Sequence, residues 1–306
     1  MNRVARSLVL CAWLAGSRAA AESPKTTPES TAEATQATTA DKPAPPEAHN
    51  YNSVTDALRA ILEQAAHDAG KAPRVVAFGE YHQTKGKTHI RSAIKRFSEE
   101  LWSTVAPGAS DLVLETFIPE GNCGKEEKKV VADVDKTIKR PETTENELVT
   151  LIKQAKAQGI QPHILQVSCK DYESVLDEKK QVDFVKMLKL VNDLLEQRIT
   201  EVRNRRLKAG VDKTVMVYGG AIHNDLYPQK ELAPYTFGQS LTKTFPGEYL
   251  EIDLYVPEFV ESDAAQRSQP WFPLYKKAQK PGQVVVIRRG PASFVLLFPK
   301  TQPPAK

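Results

Sequence analysis

The sequence predicts an α/β fold, a largely parallel central sheet flanked by helices with C-terminal strands partly antiparallel. Three observations predict it. Four short apolar runs of β-branched character, 74–80, 111–117, 163–168 and 214–220, alternate with stretches of helical period. Helix start and stop signals fall between those runs, as right-handed crossovers between parallel strands require. The last stretch, GEYLEIDLYV and then QVVVIRRGPASFVLLF, has no helical period and turns at Gly290-Pro291 like a hairpin.

Each element has its own reason. Ser53 and Asp56 form a capping box ahead of Val54, Leu58, Ile61, Leu62 and Ala65, an amphipathic helix that Gly70 ends. RVVAFGE (74–80) is the first buried strand. Ile90, Ile94, Phe97, Leu101 and Val105 keep helical spacing until Pro107-Gly108 breaks it. DLVLETF (111–117) is the second strand. Thr144 and Glu147 form another capping box, leading Leu148, Leu151, Ile152 and Ala155 to a stop at Gly159. HILQVS (163–168) is the third strand. A long helix from about Ser174 to Lys208 carries Phe184, Leu188, Val191 and Leu195 on one stripe, and TVMVYGG (214–220) is the fourth strand.

Length and composition set the boundaries. Of 306 residues, 41% are hydrophobic and 26% charged, ordinary values for a globular protein. No apolar run approaches the roughly 18–20 residues of a membrane span, so no transmembrane span is expected. Residues 1–21 read as a secretory signal: Arg3 and Arg6, the apolar run 8–16, then Ala19-Ala20-Ala21 as an A-x-A-like cleavage site. Cys11 follows Leu10, where a lipobox wants a small residue. The chain is therefore expected to be exported, to the periplasm, the cell envelope or the extracellular space. Residues 22–50 hold 19 Pro, Ser, Thr or Ala among 29, with no Val, Ile or Leu, and read as a disordered tether. Residues 51–306 are left as one domain. The formal charge of +4 falls to +1 without the three leader arginines, 39 basic groups against 38 acidic, which is no footprint for nucleic acid.

In an open parallel sheet, ligands bind outside the carboxyl ends of the strands, so the residues just past each strand locate a candidate site. The first strand runs into Gly79-Glu80-Tyr81-His82, the second reaches Glu115, and the fourth runs into Gly220-Ala221-Ile222-His223-Asn224-Asp225. Imidazoles and carboxylates thus gather at one edge, with a Gly-x-x-His spacing used twice. Glycine there admits close backbone approach. His89, with Thr88 as a candidate N-cap, would sit in the first turn of the next helix and stay neutral, as a ligand or base must. Each of these residues also has a plain structural reading, as a solvated strand end, a turn or a helix surface; their coincidence of place is what points to function. His163 opens its strand at the opposite edge and reads as structural. Arg203, Arg205, Arg206 and Lys208 read as a solvated helix end, and Trp271-Phe272-Pro273 as packing. Cys123 and Cys169 come after the second and third strands; in an oxidising compartment these two thiols could pair or stay free. No G-x-S-x-G, H-E-x-x-H, Walker A or G-x-G-x-x-G motif is present.

The segments VVAFGEYHQTKGKTHIRSAIKRF, LVLETF and VYGGAIHNDLYP resemble the superfamily joining the ChaN haem-binding uptake proteins, the Tiki proteases and the erythromycin esterases, with the ChaN-like branch closest in wording. The resemblance covers most of 74–228 and rests on Glu80, His82, His89, Glu115 and His223. It departs at Thr88-His89, where ChaN-like proteins often have two adjacent His. What it implies is an exported α/β protein that binds haem iron or another metal centre, or else a metal-dependent protease or a His- and Glu-based esterase.

Three functions are open to test. A binding protein for a small-molecule ligand or cofactor would hold haem or a divalent metal ion, with His82, His89, His223 and Tyr81 as cofactor ligands and His82, His223, Glu80 and Glu115 as metal ligands. A hydrolase would use Glu80, His82, Glu115 and His223 as catalytic acid–base groups on an ester or amide, with the Gly219 and Gly220 amides available to an oxyanion. A scaffold with a vestigial site would use neither.

Overall fold

The computed structural model describes residues 46–138, 141 and 143–301. The residues read above as a leader, Cys11, and those read as a tether as far as residue 45 lie outside the described residues. In chain order the strands are β1 (Glu47–Tyr51), β2 (Val75–Glu80), β3 (Ala109–Pro119), β4 (Gln161–Val167), β5 (Thr214–Gly220), β6 (Tyr249–Tyr255), β7 (Val284–Gly290) and β8 (Ser293–Leu297). They form one sheet in the order β1-β7-β8-β6-β2-β5-β3-β4. From β4 to β8 every neighbouring pair is parallel; β7 runs antiparallel to both β8 and β1. The α/β class predicted from the sequence is therefore the observed one, with the antiparallel part confined to the last hairpin and β1.

Helices cover both faces. Val54–Ala69 (α1) is capped by Ser53, whose Oγ accepts the Asp56 amide, and stops at Gly70 in the left-handed region. Ala93–Arg96 (α2), a π turn over Phe97–Leu101 and Trp102–Val105 (α3) run on as one rod. Then come Gly124–Ile138 (α4), Thr143–Ala157 (α5), Cys169–Ser174 (α6) and Phe184–Lys208 (α7). Short helices complete the chain: Gly238–Thr244 (α8), Pro257–Val260 (α9), Ala264–Arg267 (α10) and Phe272–Ala278 (α11). One core packs α1, α2, α3 and α5 on the Val76, Phe78, Leu112 and Met216 side of the sheet. The other packs α7 and α8 on the Val75, Ala77, Val113 and Val215 side. Alternation along β2 dictates both, because residues two apart face the same way. At roughly 25 cal/mol per Å2 of apolar surface, such two-sided burial is what holds the central strands.

Several local expectations change. Residues 47–50, placed by composition in the tether, form part of β1, whose backbone pairs with β7 from Glu47↔Arg288 to Tyr51↔Val284; ladder bonds need no apolar side chains. The second helix begins at Ala93 with Ser92 as its cap, so Ile90 lies before it. Thr144 lies inside α5 and does not cap it, and Glu147 instead accepts the Ser92 hydroxyl at 2.6 Å. The long helix starts at Phe184, capped by Asp183; α6 and a turn closed by the Leu176↔Val182 bridge precede it. Its final cations divide: Arg205 and Lys208 are exposed, as read, whereas Arg206 forks onto Asp111 at 2.6 and 2.9 Å and Arg203 bonds Glu248 at 2.9 Å. Cys123 and Cys169 are joined as a disulfide, tying the segment after β3 to the start of α6.

Candidate functional site

The central strands β2 and β5 end side by side, with Gly79 opposite Gly219 and Glu80 opposite Gly220. The paired glycines have a physical cause. A Cβ on Gly79 would meet Asn224 Oδ1 and Asp253 Oδ1 at 2.6 Å, and one on Gly219 would meet Glu115 Oε2 at 2.6 Å. Side chains from neighbouring elements occupy the space that any larger residue would claim.

Glu80 is buried, and both of its oxygens are engaged. Its Oε1 accepts from His82 Nδ1, and its Oε2 accepts the Tyr218 hydroxyl at 2.6 Å. With Nδ1 donating to a carboxylate, His82 carries its lone pair on Nε2. That atom is buried and has no hydrogen-bond partner among the described residues. Glu115 arrives by a different route. Between Leu114 and Phe117 the register of β3 against β4 slips, and the irregularity re-aims Glu115 along the strand ends. Its Oε2 accepts the Gly220 amide at 2.6 Å. Glu80, His82, Glu115, Tyr218 and Thr144 line a crevice with about 10 Å3 of room, close to what one water needs. The Thr144 Oγ1 is buried there without a hydrogen-bond partner among the described residues.

On their other side, Glu80 and His82 border an open cleft of about 180 Å3. Its floor is the β5 exit (Gly220, Ala221, Ile222) and its far wall is Asp263, Gln266, Gln269 and Trp271 from the α10 region. Trp271 is buried and stacks on Tyr255 with ring centroids 5.1 Å apart, so it both packs and lines the cleft. Below lie three carboxylates and one cation. Arg289 reaches Asp225 at 2.7 Å, Glu251 at 2.8 Å and Asp253 at 3.6 Å. Burial, and then repulsion from Asp253, pushes the Glu251 carboxyl well up; burial likewise raises Asp253, against the pull of Arg289. Burial opposes the charge on Arg289, but the three carboxylates hold it protonated.

The segment after β5 builds this nest by running back across the sheet face. Asn224 Nδ2 donates to Asp253 at 3.2 Å, the Leu226 amide donates to Glu251 at 2.8 Å, and the Tyr227 hydroxyl donates to the Pro291 carbonyl at 2.9 Å. No short-range signal marked Glu251 and Asp253 as functional. Within LEIDLYV they alternate with apolar residues and read as the solvated side of an ordinary strand.

The sequence-derived candidates therefore separate. Glu80, His82 and Glu115 share the crevice, and Tyr81 lines the cleft with Glu80 and His82. His223 lies in the returning segment: its ring is buried, Nδ1 donates to the Tyr235 carbonyl at 2.9 Å, and it lines neither cavity. His89 is exposed in a turn ahead of the Ser92 cap, away from any helix first turn. The Gly220 amide is committed to Glu115 and is not available to an oxyanion.

The fit of a metal or of haem can be judged from the same geometry. Among the described residues no three His, Cys, Asp or Glu side chains are grouped so as to hold a metal ion. The cleft is smaller than the roughly 300–1,000 Å3 of pockets that take drug-sized ligands, let alone a porphyrin, and it is lined by acids. Burial, and then Asp263, holds the Tyr81 phenol protonated, against phenolate ligation. These residues do not fit haem.

Comparison with known proteins returns no match: no family model fits the chain, and no curated protein and no solved structure matches it. The comparisons name no family. Among the described residues no helix is long and apolar enough to cross a membrane.

Proposed function

We propose that the protein is a hydrolase of an ester or amide, as one branch of the superfamily it resembles implies, with His82 as general base. The observation that carries this reading is the Glu80–His82 pair, braced by Tyr218, at the partition between a one-water crevice and an open cleft. Glu80 orients the ring and stabilises the imidazolium that forms when Nε2 takes a proton from the attacking water. Glu115 borders the same crevice and helps hold that water. The carboxamides of Gln266 and Gln269 are the neutral donors along the cleft wall for the developing oxyanion. The Cys123–Cys169 bond suits the oxidising compartment that the exported reading requires.

A panel of esters and amides, hydrolysed with and without chelator, tests this. His82→Ala is expected to lower turnover by roughly 10²–10⁴-fold, the usual contribution of a positioned base, and Glu80→Gln to lower it substantially. Turnover unchanged in Glu80→Gln would overturn the assignment.

A further inference from the structure

The crevice bordered by His82 has a floor and a roof of different chemistry. Strand ends supply the floor, with Glu80, Glu115 and Tyr218. The roof comes from α2 and α5 as Ile94, Leu148 and Thr144, and among these described residues Thr144 alone is polar. Thr144 is only 5% exposed, and its Oγ1 has no hydrogen-bond partner among the described residues. Other helical threonines bond their hydroxyls back to the carbonyl four residues earlier, as Thr150 does to Asn146 at 2.8 Å and Thr242 to Gly238 at 2.9 Å. Those two are exposed, whereas Thr144, in the first turn of α5, is buried and makes no such bond. Its place is well fixed. The Thr144 amide donates to the Pro141 carbonyl at 3.1 Å, and one turn on Glu147 accepts the Ser92 hydroxyl at 2.6 Å, which pins α5 to the cap of α2. A buried hydroxyl left unmet is unfavourable, so this one points to a small polar occupant. His82 Nε2 is also buried without a partner among the described residues and borders the same crevice, whose room of about 10 Å3 is close to that of one water. An interior water is held by roughly two to four polar groups, and Thr144, His82 and Glu115 offer them here.

We propose that Thr144 is the positioning residue of a one-water site: its hydroxyl donates to the water oxygen while the water donates a hydrogen to His82 Nε2. That this water is the nucleophile rests on the hydrolase reading; the water site itself does not. In the reaction the water O–H bond breaks and its proton passes to His82 Nε2. The water oxygen bonds the carbonyl carbon, whose π electrons move onto the carbonyl oxygen. The C–O or C–N bond to the leaving group then breaks as the carbonyl re-forms, and His82 returns the proton to the departing oxygen or nitrogen. The Thr144 hydroxyl keeps its proton throughout, and its hydrogen bond strengthens as negative charge grows on the attacking oxygen.

The test uses the full chain and two substitutions. Thr144→Val keeps the shape and removes the hydroxyl; Thr144→Ser keeps the hydroxyl. On the ester or amide that the unsubstituted protein turns over fastest, Thr144→Val is expected to lower kcat about tenfold with KM unchanged, the scale of one hydrogen bond made in the transition state. Thr144→Ser should restore most of that loss. Two readouts need no activity. The imidazole nitrogen NMR signals of His82 should move in Thr144→Val and return in Thr144→Ser. A crystal structure of the unsubstituted chain should show one solvent oxygen within about 3.2 Å of both Thr144 Oγ1 and His82 Nε2, which keeps the site testable if Thr144→Val does not fold. The lack of that oxygen, or His82 signals unmoved in Thr144→Val or displaced alike in both variants, would overturn the water site. A kcat unchanged in Thr144→Val, an equal fall in Thr144→Ser, or a loss confined to KM would overturn the positioning role. The solvent oxygen and the NMR pattern in a protein that hydrolyses nothing would sink the hydrolase and spare the site.

Discussion

Two buried aspartates sit at opposite edges of the same sheet and titrate in opposite directions. Asp111, at the amino edge, is fully buried, yet its carboxyl is held below the usual range. Burial works to raise it, but His163 at 2.8 Å, a forked Arg206 and the Ser110 hydroxyl at 2.6 Å outweigh that. Asp253, near the cleft, is as deeply buried and is pushed up, because Asp225 and Glu251 share its one arginine and Asn224 and Tyr255 supply only neutral donors. Burial is common to both; the count of positive donors decides the sign. The amino edge is a satisfied structural joint, and the nest below the cleft is short of donors.

The largest expected effect falls on Arg289. Arg289→Met leaves three carboxylates around no cation and should cost about 3–5 kcal/mol in urea unfolding at pH 8, with a smaller loss near pH 5, where protons neutralise the nest. Arg206→Met should cost less, about 1–3 kcal/mol, because His163 and Ser110 stay on Asp111. Equal losses at the two edges would break the comparison.

The pH dependence sharpens it. Asp253 is raised from 3.8 to about 7, so the folded state binds the extra proton in that interval, and its contribution to stability falls as pH rises from about 4 to 7. Asp111 is lowered, so its contribution is present above 3.8 and is lost as pH falls below it. Asp253→Asn should flatten the first slope and Asp111→Asn the second, read as urea midpoints across pH 2–8. A slope unchanged in Asp253→Asn would mean that another group takes up that proton.

The smallest effect is expected at Tyr218. Tyr218→Phe removes the hydroxyl that braces Glu80 and should cost about 1 kcal/mol of stability. Turnover should fall less than in Glu80→Gln. A larger fall in Tyr218→Phe would give the hydroxyl a direct part in the chemistry.

Much of this architecture was legible along the chain. β2, β3, β4 and β5 fall where apolar runs lie between capping signals; for β2, β3 and β5 that is because a strand buried on both faces needs little but β-branched and other apolar side chains, whereas β4 is an edge strand buried only in part. The carboxyl-edge rule then placed Glu80, His82 and Glu115 together. His89 and Ile90 escaped because helical spacing continues past the true cap at Ser92. The strand β1 escaped because its partner supplies backbone groups, which leave no mark on composition. His223 keeps the Gly-x-x-His spacing of His82, yet its segment turns back across the sheet and buries the ring against Tyr235.

Neighbouring letters of the chain were enough for local matters: which runs are strands, where helices start and stop, and which acids and imidazoles leave the strands at one edge. Periodicity, capping and turn chemistry act over a few residues, so short stretches of sequence carry them. Only the folded chain buries Glu251 and Asp253, sets Arg289 among three carboxylates and hands the Gly220 amide to Glu115. Those arrangements depend on the returning segment after β5 and the register slip in β3, where long-range packing and desolvation set the energy.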